Sequence, residues 1–506
     1  MFAISAGGRL AALFSILVAT VLAVWYSRAR GGLPARGAAL LLCLGLTVQL
    51  AGPLVGLAAT LFAALVARRL SSPGRGAAFP SEAGGVLLGR SLATGRPVRI
   101  ALRHMVVIGA SGSGKTATLG ALARRAAVSH GLVVVDGKGD PALREAVRAA
   151  ALETGRRLWL WSPTGELPYN PFAHGEEGEL VDKALAAETF GDSYYLRIGQ
   201  RFLGFAVRAL RQAGEEVTLA KLAEYVDPRL IVRLAAQMEA RETGAWLRFS
   251  AKLPKLSTRE QEAVAGTRHR LAALAEADVG RALEGGGGLD LLAAVGEGDV
   301  VYFNLNSDSR PELSQMVGAA ILIDLLTIAG SLQRGGRGAP TLVVVDDLQG
   351  FVSPPATRAL ASLFARGRSA GFAVCLGTQS LFDLTGGGGE RLGQLLDNRY
   401  ALLVHRLPGR SSAALASREL GEVWRPAIQE QLEAKGGRWR TGRRASRVLR
   451  QEPAVGAEQI ASLPVGHLFL SVPGSPPEPV AVWIGADPDL EGAAGLRRAI
   501  AALRRR

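Results

Sequence analysis

Met105-Val106-Val107-Ile108 runs directly into Gly109-Ala110-Ser111-Gly112-Ser113-Gly114-Lys115-Thr116, and a helical stretch follows from Ala117 to about Ser129. An apolar strand, a G-x-x-x-x-G-K-T loop and a helix in that order make a phosphate-binding loop. Glycines at 109, 112 and 114 allow backbone shapes that a side chain would block. Successive N–H groups then point at phosphate oxygens, and the helix N-terminus adds its positive end. Lys115 is expected to reach the β- and γ-phosphates, and Thr116 to offer its hydroxyl to Mg²⁺. The eight loop residues therefore read as a site for ATP or GTP.

Outward from this loop, strands and helices alternate, which argues for a parallel-sheet α/β domain. Strands are expected at Val98–Leu102, Met105–Ile108, Leu132–Asp136, Arg157–Trp161, Val300–Leu305, Leu342–Asp346, Phe372–Gly377 and Tyr400–Val404. Between about Glu176 and Glu284 apolar residues recur at helical spacing and strand-like runs vanish. The expected organisation is a nucleotide-binding α/β domain over 79–175 and 285–485, interrupted by an all-α domain over 176–284.

Three strand ends carry candidate chemistry. Thr341-Leu342-Val343-Val344-Val345 ends in Asp346-Asp347. A P-loop nucleotidase needs carboxylates there, Asp346 to hold Mg²⁺ directly or through water and Asp347 to polarise the attacking water. Phe372–Ser380 is a second apolar strand and ends in Gln379, which senses the γ-phosphate, orients the water or is a plain strand-end turn residue. The third runs from Leu132 to Asp136-Gly137-Lys138-Gly139-Asp140-Pro141. Asp140 as N-cap and Pro141 at the first helical position start a helix. Asp136 and Lys138 remain candidates for the nucleotide site.

A chain of 506 residues calls for two or three domains. Its net charge of +15 comes from 59 Lys+Arg against 44 Asp+Glu. That excess suits contact with nucleic acid or anionic lipid, although a GC-rich genome also raises Ala, Gly and Arg together. Arg438–Arg450 concentrates six arginines around Trp439, either to contact nucleic acid or as a solvated loop or hairpin. Two cysteines, Cys43 and Cys375, make neither a disulfide framework nor a zinc site. Nucleotide-bound Mg²⁺ is the one metal expected.

Near the N-terminus, Leu10–Tyr26 is an uncharged apolar stretch, and Ala38–Ala67 is a second one interrupted by Gly52-Pro53. A hydrocarbon core of roughly 30 Å takes about 20 apolar residues per helix. Residues 1–70 are therefore read as a membrane anchor with helices at about 10–26 and 38–67; a cleaved signal peptide is the alternative for the first run. Arg68, Arg69 and Arg75 favour a cytoplasmic C-terminal part, whereas Arg28, Arg30 and Arg36 in the connector oppose the positive-inside rule. ATP is cytoplasmic, so the phosphate loop decides the orientation. The expected location is the bacterial inner membrane, multi-pass, with a basic tail over 486–506.

Together these segments resemble the conjugative coupling ATPases of type IV secretion, the TraG/TraD group, within the wider HerA/FtsK class. The resemblance runs from the N-terminal apolar helices to about residue 485. It takes in Gly109–Thr116, the Val-Val-Val-Asp-Gly-Lys-Gly-Asp segment, Asn170-Pro171-Phe172, the acidic strand, Ala365–Ala370, Gly377-Thr378-Gln379-Ser380 and Ile460–Gly474. It implies a RecA-like P-loop ATPase domain with an all-α insertion, a homohexamer around a channel, and ATP-driven delivery of DNA with attached relaxase to secretion channel proteins. It also makes Arg366 or Arg368 a candidate to reach a neighbouring subunit's nucleotide. The family usually ends its acidic strand in Asp-Glu, whereas this chain has Asp346-Asp347, one methylene shorter. An FtsK-like DNA pump and a nucleotide-bound docking receptor for secreted proteins are the alternatives.

Overall fold

The computed structural model describes residues 85–484, apart from 187–190, 236–254, 278, 336–337, 352, 384–393 and 436–437. The apolar runs at 10–26 and 38–67, the linker at 71–78 and the tail at 486–506 lie outside the described residues. Strands β1 (Val86–Ser91) and β2 (Pro97–Ile100) pair antiparallel and precede β3 (Met105–Ile108). Helix α1 (Lys115–Ala126) follows the phosphate loop, and then come β4 (Gly131–Asp136), α2 (Pro141–Thr154) and β5 (Leu158–Trp161). Helix α2 begins as its sequence indicates: the Asp140 carboxylate accepts from Ala142 N–H at 2.8 Å and Pro141 opens the first turn.

Between β5 and β6 (Val300–Asn304), every regular element among the described residues is helical. These are α3 (Glu177–Ala184), α4 (Ser193–Gln212), α5 (Leu219–Tyr225), α6 (Pro228–Ala235), α7 (Thr258–Ala275), a 3₁₀ turn at Gly280–Leu283 and α8 (Leu291–Glu297). Their apolar stripes face one another; in α4, Ile198, Phe202, Leu203, Ala206, Val207, Ala209 and Leu210 are buried.

The chain then runs through α9 (Pro311–Gln333), β7 (Thr341–Asp346), α10 (Pro354–Arg366), β8 (Phe372–Thr378), β9 (Ala401–Val404) and α11 (Arg410–Glu419). It finishes with β10 (Glu422–Lys435), β11 (Arg438–Pro453), α12 (Ala457–Ala461), β12 (His467–Ser471) and β13 (Glu478–Val482). Helix α9 is long and apolar enough to cross a bilayer, with a mean hydropathy of 1.7, yet 78% of that stretch is buried. It is a core helix here.

One 11-stranded sheet orders these strands as β2-β1-β13-β12-β9-β3-β8-β7-β4-β6-β5. The run from β9 to β5 is parallel throughout, and β12, β13, β1 and β2 extend it antiparallel. Strands β3, β4, β7 and β8 are buried at every residue. That is why they read as unbroken apolar runs, as strands covered on both faces do. The mixed extension escapes that reading. β1 and β13 are short and β1 is bulged between Leu87 and Gly89, so neither shows a clear period.

A buried polar cluster ties the helical segment to α9. Lys183 of α3 donates to Asp324 of α9 at 2.8 Å and to the Pro171 and His174 carbonyls at 2.8 and 2.7 Å. The Tyr169 hydroxyl donates to the other Asp324 oxygen at 2.7 Å. Every donor proton of this ammonium has a partner, which is what a buried charge requires.

Candidate nucleotide site

Parallel strands bring their C-terminal ends to one edge, where ligands of open α/β sheets bind. Here β3 ends in the phosphate loop, its neighbour β8 ends beside Gln379, and β7, one strand further, ends in Asp346-Asp347. Register makes the convergence specific, since Ile108 pairs with Thr378 and Val345 with Leu376. Gly377 supplies the space, because a Cβ there would lie 2.5 Å from Asp346 Oδ1.

The phosphate loop is held from both sides. Gly109 N–H donates to the Thr378 carbonyl at 3.2 Å and Ala110 N–H to the Arg406 carbonyl at 3.1 Å. Gly114 caps α1 with φ 101°, left-handed backbone that favours glycine. Above it, Gly466 N–H donates to the Ser113 carbonyl at 3.1 Å. The turn before β12 therefore lies on the loop, and Val465 enters the cavity wall.

At the centre, Lys115 Nζ forms a salt bridge with Asp346 and lies 3.1 Å from Asp347 Oδ1. Thr116 Oγ1 is 3.4 Å from the second Asp346 oxygen. Asp347 also accepts from Gln349 at 2.9 Å and from Gln379 at 3.5 Å. Burial works to lower the Lys115 pKa, but the two carboxylates outweigh it and hold the ammonium above its usual range. For Asp346, 1% exposed, burial dominates and pushes the carboxyl up despite Lys115. Asp347, 14% exposed, is held below the usual carboxylate range: burial raises it, and Lys115 with the two glutamine amides outweighs that. Asp347 is also one of two described non-glycine residues with positive φ, at φ 50° and ψ 50°. Such backbone is uncommon for a side-chain-bearing residue and concentrates at functional turns.

Lys115, Thr116, Asp347 and Gln379 line a cavity of about 320 Å³ together with Ala110, Ser111, Gly112, Lys138 and Asp140, and Asp346 lies behind Lys115. A larger cavity of about 540 Å³ lies between α3, α4, α9 and α10, away from the phosphate loop. Ser113 is fully buried and is not among the residues that line this cavity.

Asp136 behaves differently from the other strand-end acids. Its oxygens accept from the Lys138, Gly139 and Asp140 N–H groups and from the Tyr302 hydroxyl, at 2.7–3.0 Å. Burial leads the competing influences and moves its carboxyl up to about 6. Its partners make it the organiser of the β4–α2 turn, and Lys138 is the residue of that pair which faces the cavity. Arg366 and Arg368 are exposed on the turn before β8, at the opposite end of that strand. Seven residues of strand separate that turn from the phosphate edge, about 20 Å, so neither reaches the site of its own chain.

One residue of this site escaped the sequence reading. His405 directly follows β9 and is wholly buried beneath the phosphate loop. Its Nε2 lies 3.0 Å from Thr118 Oγ1 on α1, and its Nδ1 lies 3.0 Å from the His467 carbonyl. The carbonyl can only accept, so Nδ1 carries the proton and Nε2 accepts from Thr118. Burial, with Lys115 and His467 nearby, pushes its pKa down to about 4 against the pull of that carbonyl. A polar residue ending an apolar strand is the signal that marks Asp346 and Gln379, and Tyr400–Val404 followed by His405 carries the same signal.

A phosphate loop on a central parallel strand, an acidic strand two places away and a polar strand end between them define a P-loop nucleotide-site architecture. No protein-family model matches the chain, and neither does any curated protein sequence. Solved structures do match. The bacterial conjugative coupling protein TrwBdeltaN70 in its unbound form is 18% identical at a TM-score of 0.56, covering 80% of this chain and 90% of its own. Plasmid coupling protein TrwB in complex with ADP and Mg²⁺ is 17% identical at 0.54, with coverage of 80% and 90%. VirB4 of Thermoanaerobacter pseudethanolicus is 15% identical at 0.51, with coverage of 80% and 97%. The chain has the fold of these proteins.

Proposed function

We propose that this protein is a membrane-anchored ATPase that moves DNA, with its attached relaxase, into a type IV secretion channel during conjugative transfer. The observation that carries the reading is the meeting of Lys115, Thr116, Asp347 and Gln379 at one cavity of a coupling-protein fold, with Asp346 held against Lys115 and Thr116. A similar structure solved with ADP and Mg²⁺ supports the same ligands here. In this reading residues 1–70 form the anchor, the helical segment 176–284 faces the cytoplasm, and six copies surround the DNA.

The donor set fits the ligands. A polyphosphate needs cationic and N–H donors, which Lys115 and the loop backbone supply. Mg²⁺ prefers hard oxygen ligands, and the hydroxyl of Thr116 and the carboxylate of Asp346 would hold it; when bound, it neutralises charge on the β- and γ-phosphate oxygens. Lys115 exchanges its carboxylate partners for phosphate oxygens, which leaves Asp347 free to accept a hydrogen bond from water. A carboxylate held below the usual range orients and polarises that water rather than retaining its proton. Gln379, already directed at Asp347, supplies an amide to position the same water. His405 keeps α1 and the β12 turn in register without adding charge beneath the loop. Arg368, remote from its own chain's site, reaches the nucleotide of the neighbouring subunit.

Measuring ATP turnover with and without single- and double-stranded DNA, against Lys115→Ala, tests the proposal. DNA-stimulated hydrolysis lost in the variant supports the motor. Unstimulated turnover with retained binding of a secreted protein supports a docking receptor instead.

A further inference from the structure

The paired strands β10 and β11, 14 and 16 residues long, form a sheet of their own. At about 3.3 Å per residue the ribbon extends about 45 Å. A lone two-stranded ribbon is marginal in water and gains from a partner. Its register separates two faces. Arg425 lies directly opposite Arg450, Glu433 opposite Arg440, and Lys435 opposite Arg438. Positions 425, 433 and 435 are even steps apart on β10, and the extra residues of the bulge, 442–444, belong to β11. One face thus collects five basic positions toward the two ends of the ribbon, against the two acids Glu433 and Glu452. The other carries Trp424, Ile428, Leu432, Trp439 and Leu449, with one basic position, Arg447, and two acidic ones, Glu422 and Glu430.

Arg425 and Arg450 are both exposed, and like charges directly opposite one another are unfavourable in a strand pair. Glu452, 3.9 Å from Arg425, is the counter-charge at that pair among the described residues. A like-charge pair at each end of one face, with another arginine between, is complementary to a linear polyanion. A two-stranded ribbon also has the width that a duplex major groove admits.

We propose that the basic face of this ribbon is a sequence-independent contact for the phosphate backbone of duplex DNA. The inference rests on the DNA-moving reading above and assigns it a surface. Phosphate contacts by Arg release counterions, so each one steepens the salt dependence of binding.

The experiment uses the full chain in detergent, a fluorescein-labelled duplex and anisotropy over a salt series. Arg425→Gln, Arg440→Gln and Arg450→Gln together are expected to weaken binding at least about tenfold and to make the log–log salt slope shallower by about 2.7, near 0.9 per contact. ATP turnover without DNA and the melting temperature stay unchanged. Wild-type protein that binds no duplex overturns this inference, and protein that binds neither duplex nor single strand overturns the DNA-moving reading as well. Wild-type binding with an unaltered slope in the variant overturns the ribbon alone. Loss of subunit assembly, or of binding to phosphatidylglycerol vesicles, with duplex affinity intact also overturns it and assigns the face to a second copy or to lipid. A second measurement needs no variant: duplex is expected to protect the ribbon arginines of the wild type from phenylglyoxal, read by mass spectrometry, and absence of protection overturns the proposal.

Discussion

Lys115 Nζ lies 3.1 Å from Asp347 Oδ1 while also pairing with Asp346, although 231 and 232 residues separate the lysine from these acids. One ammonium thus answers two carboxylates at the end of a buried strand. Lys115→Ala removes the cation and leaves Asp346 buried without its partner. Hydrolysis is expected to fall at least about a hundredfold, since the lysine stabilises developing charge. Phosphate release and fluorescent-nucleotide binding measure the two effects separately.

Asp347→Asn separates charge from shape. Asparagine tolerates the left-handed backbone that position 347 adopts. Nucleotide binding is therefore expected to persist while turnover drops by about two orders of magnitude. Single-turnover kinetics check this, and unaltered turnover would remove Asp347 from the hydrolytic step.

Buried His104, whose Nδ1 accepts from Val374 N–H of β8 at 3.1 Å, and His405 are both pushed down to about 4, in each case chiefly because burial disfavours the charged ring. Unfolded histidine titrates near 6.5, so between these values the unfolded chain binds more protons. Stability contributed by the neutral rings is therefore complete above about pH 6.5 and is lost as pH falls toward 4, by up to about 3 kcal/mol each. Asp136, raised to about 6 mainly by burial, has the opposite sign and offsets part of the loss, because its folded form holds the proton longer. Melting temperature against pH should fall below 6.5 and should flatten in His405→Asn.

Removing one partner of the buried Lys183–Asp324 pair strands the other. Lys183→Met is expected to destabilise the fold by about 3–5 kcal/mol. The double variant Lys183→Met with Asp324→Leu should recover much of that loss, because no charge then remains unpaired. Urea unfolding of the four proteins in the cycle gives the coupling directly.

The strands around the site were legible because they are buried on both faces. Thr341–Asp346 and Phe372–Thr378 are uninterrupted apolar runs with polar ends, and those ends carry the candidate chemistry. The β10–β11 ribbon was open in the sequence between loop and hairpin, since its many arginines mask the two-residue alternation that the pairing register makes visible. His405 carried a readable signal, yet nothing local connects it to Thr118, 287 residues earlier.

By itself the sequence determined the local parts: the phosphate loop, its strand and helix, the acidic and amide strand ends, and the helical character of the segment before β6. Each of these is encoded by neighbouring residues through periodicity, glycine freedom and capping. Only the tertiary structure decided how the parts are used. Strand order places β8 between β3 and β7, brings Asp346 and Asp347 to Lys115, and leaves Arg368 at the far edge. The β4–α2 turn consumes the hydrogen-bonding capacity of Asp136, which sequence alone could not separate from Asp346. The physical reason is that hydrogen bonds and burial act over a few ångströms of space, and the sheet alone sets which distant residues share that space.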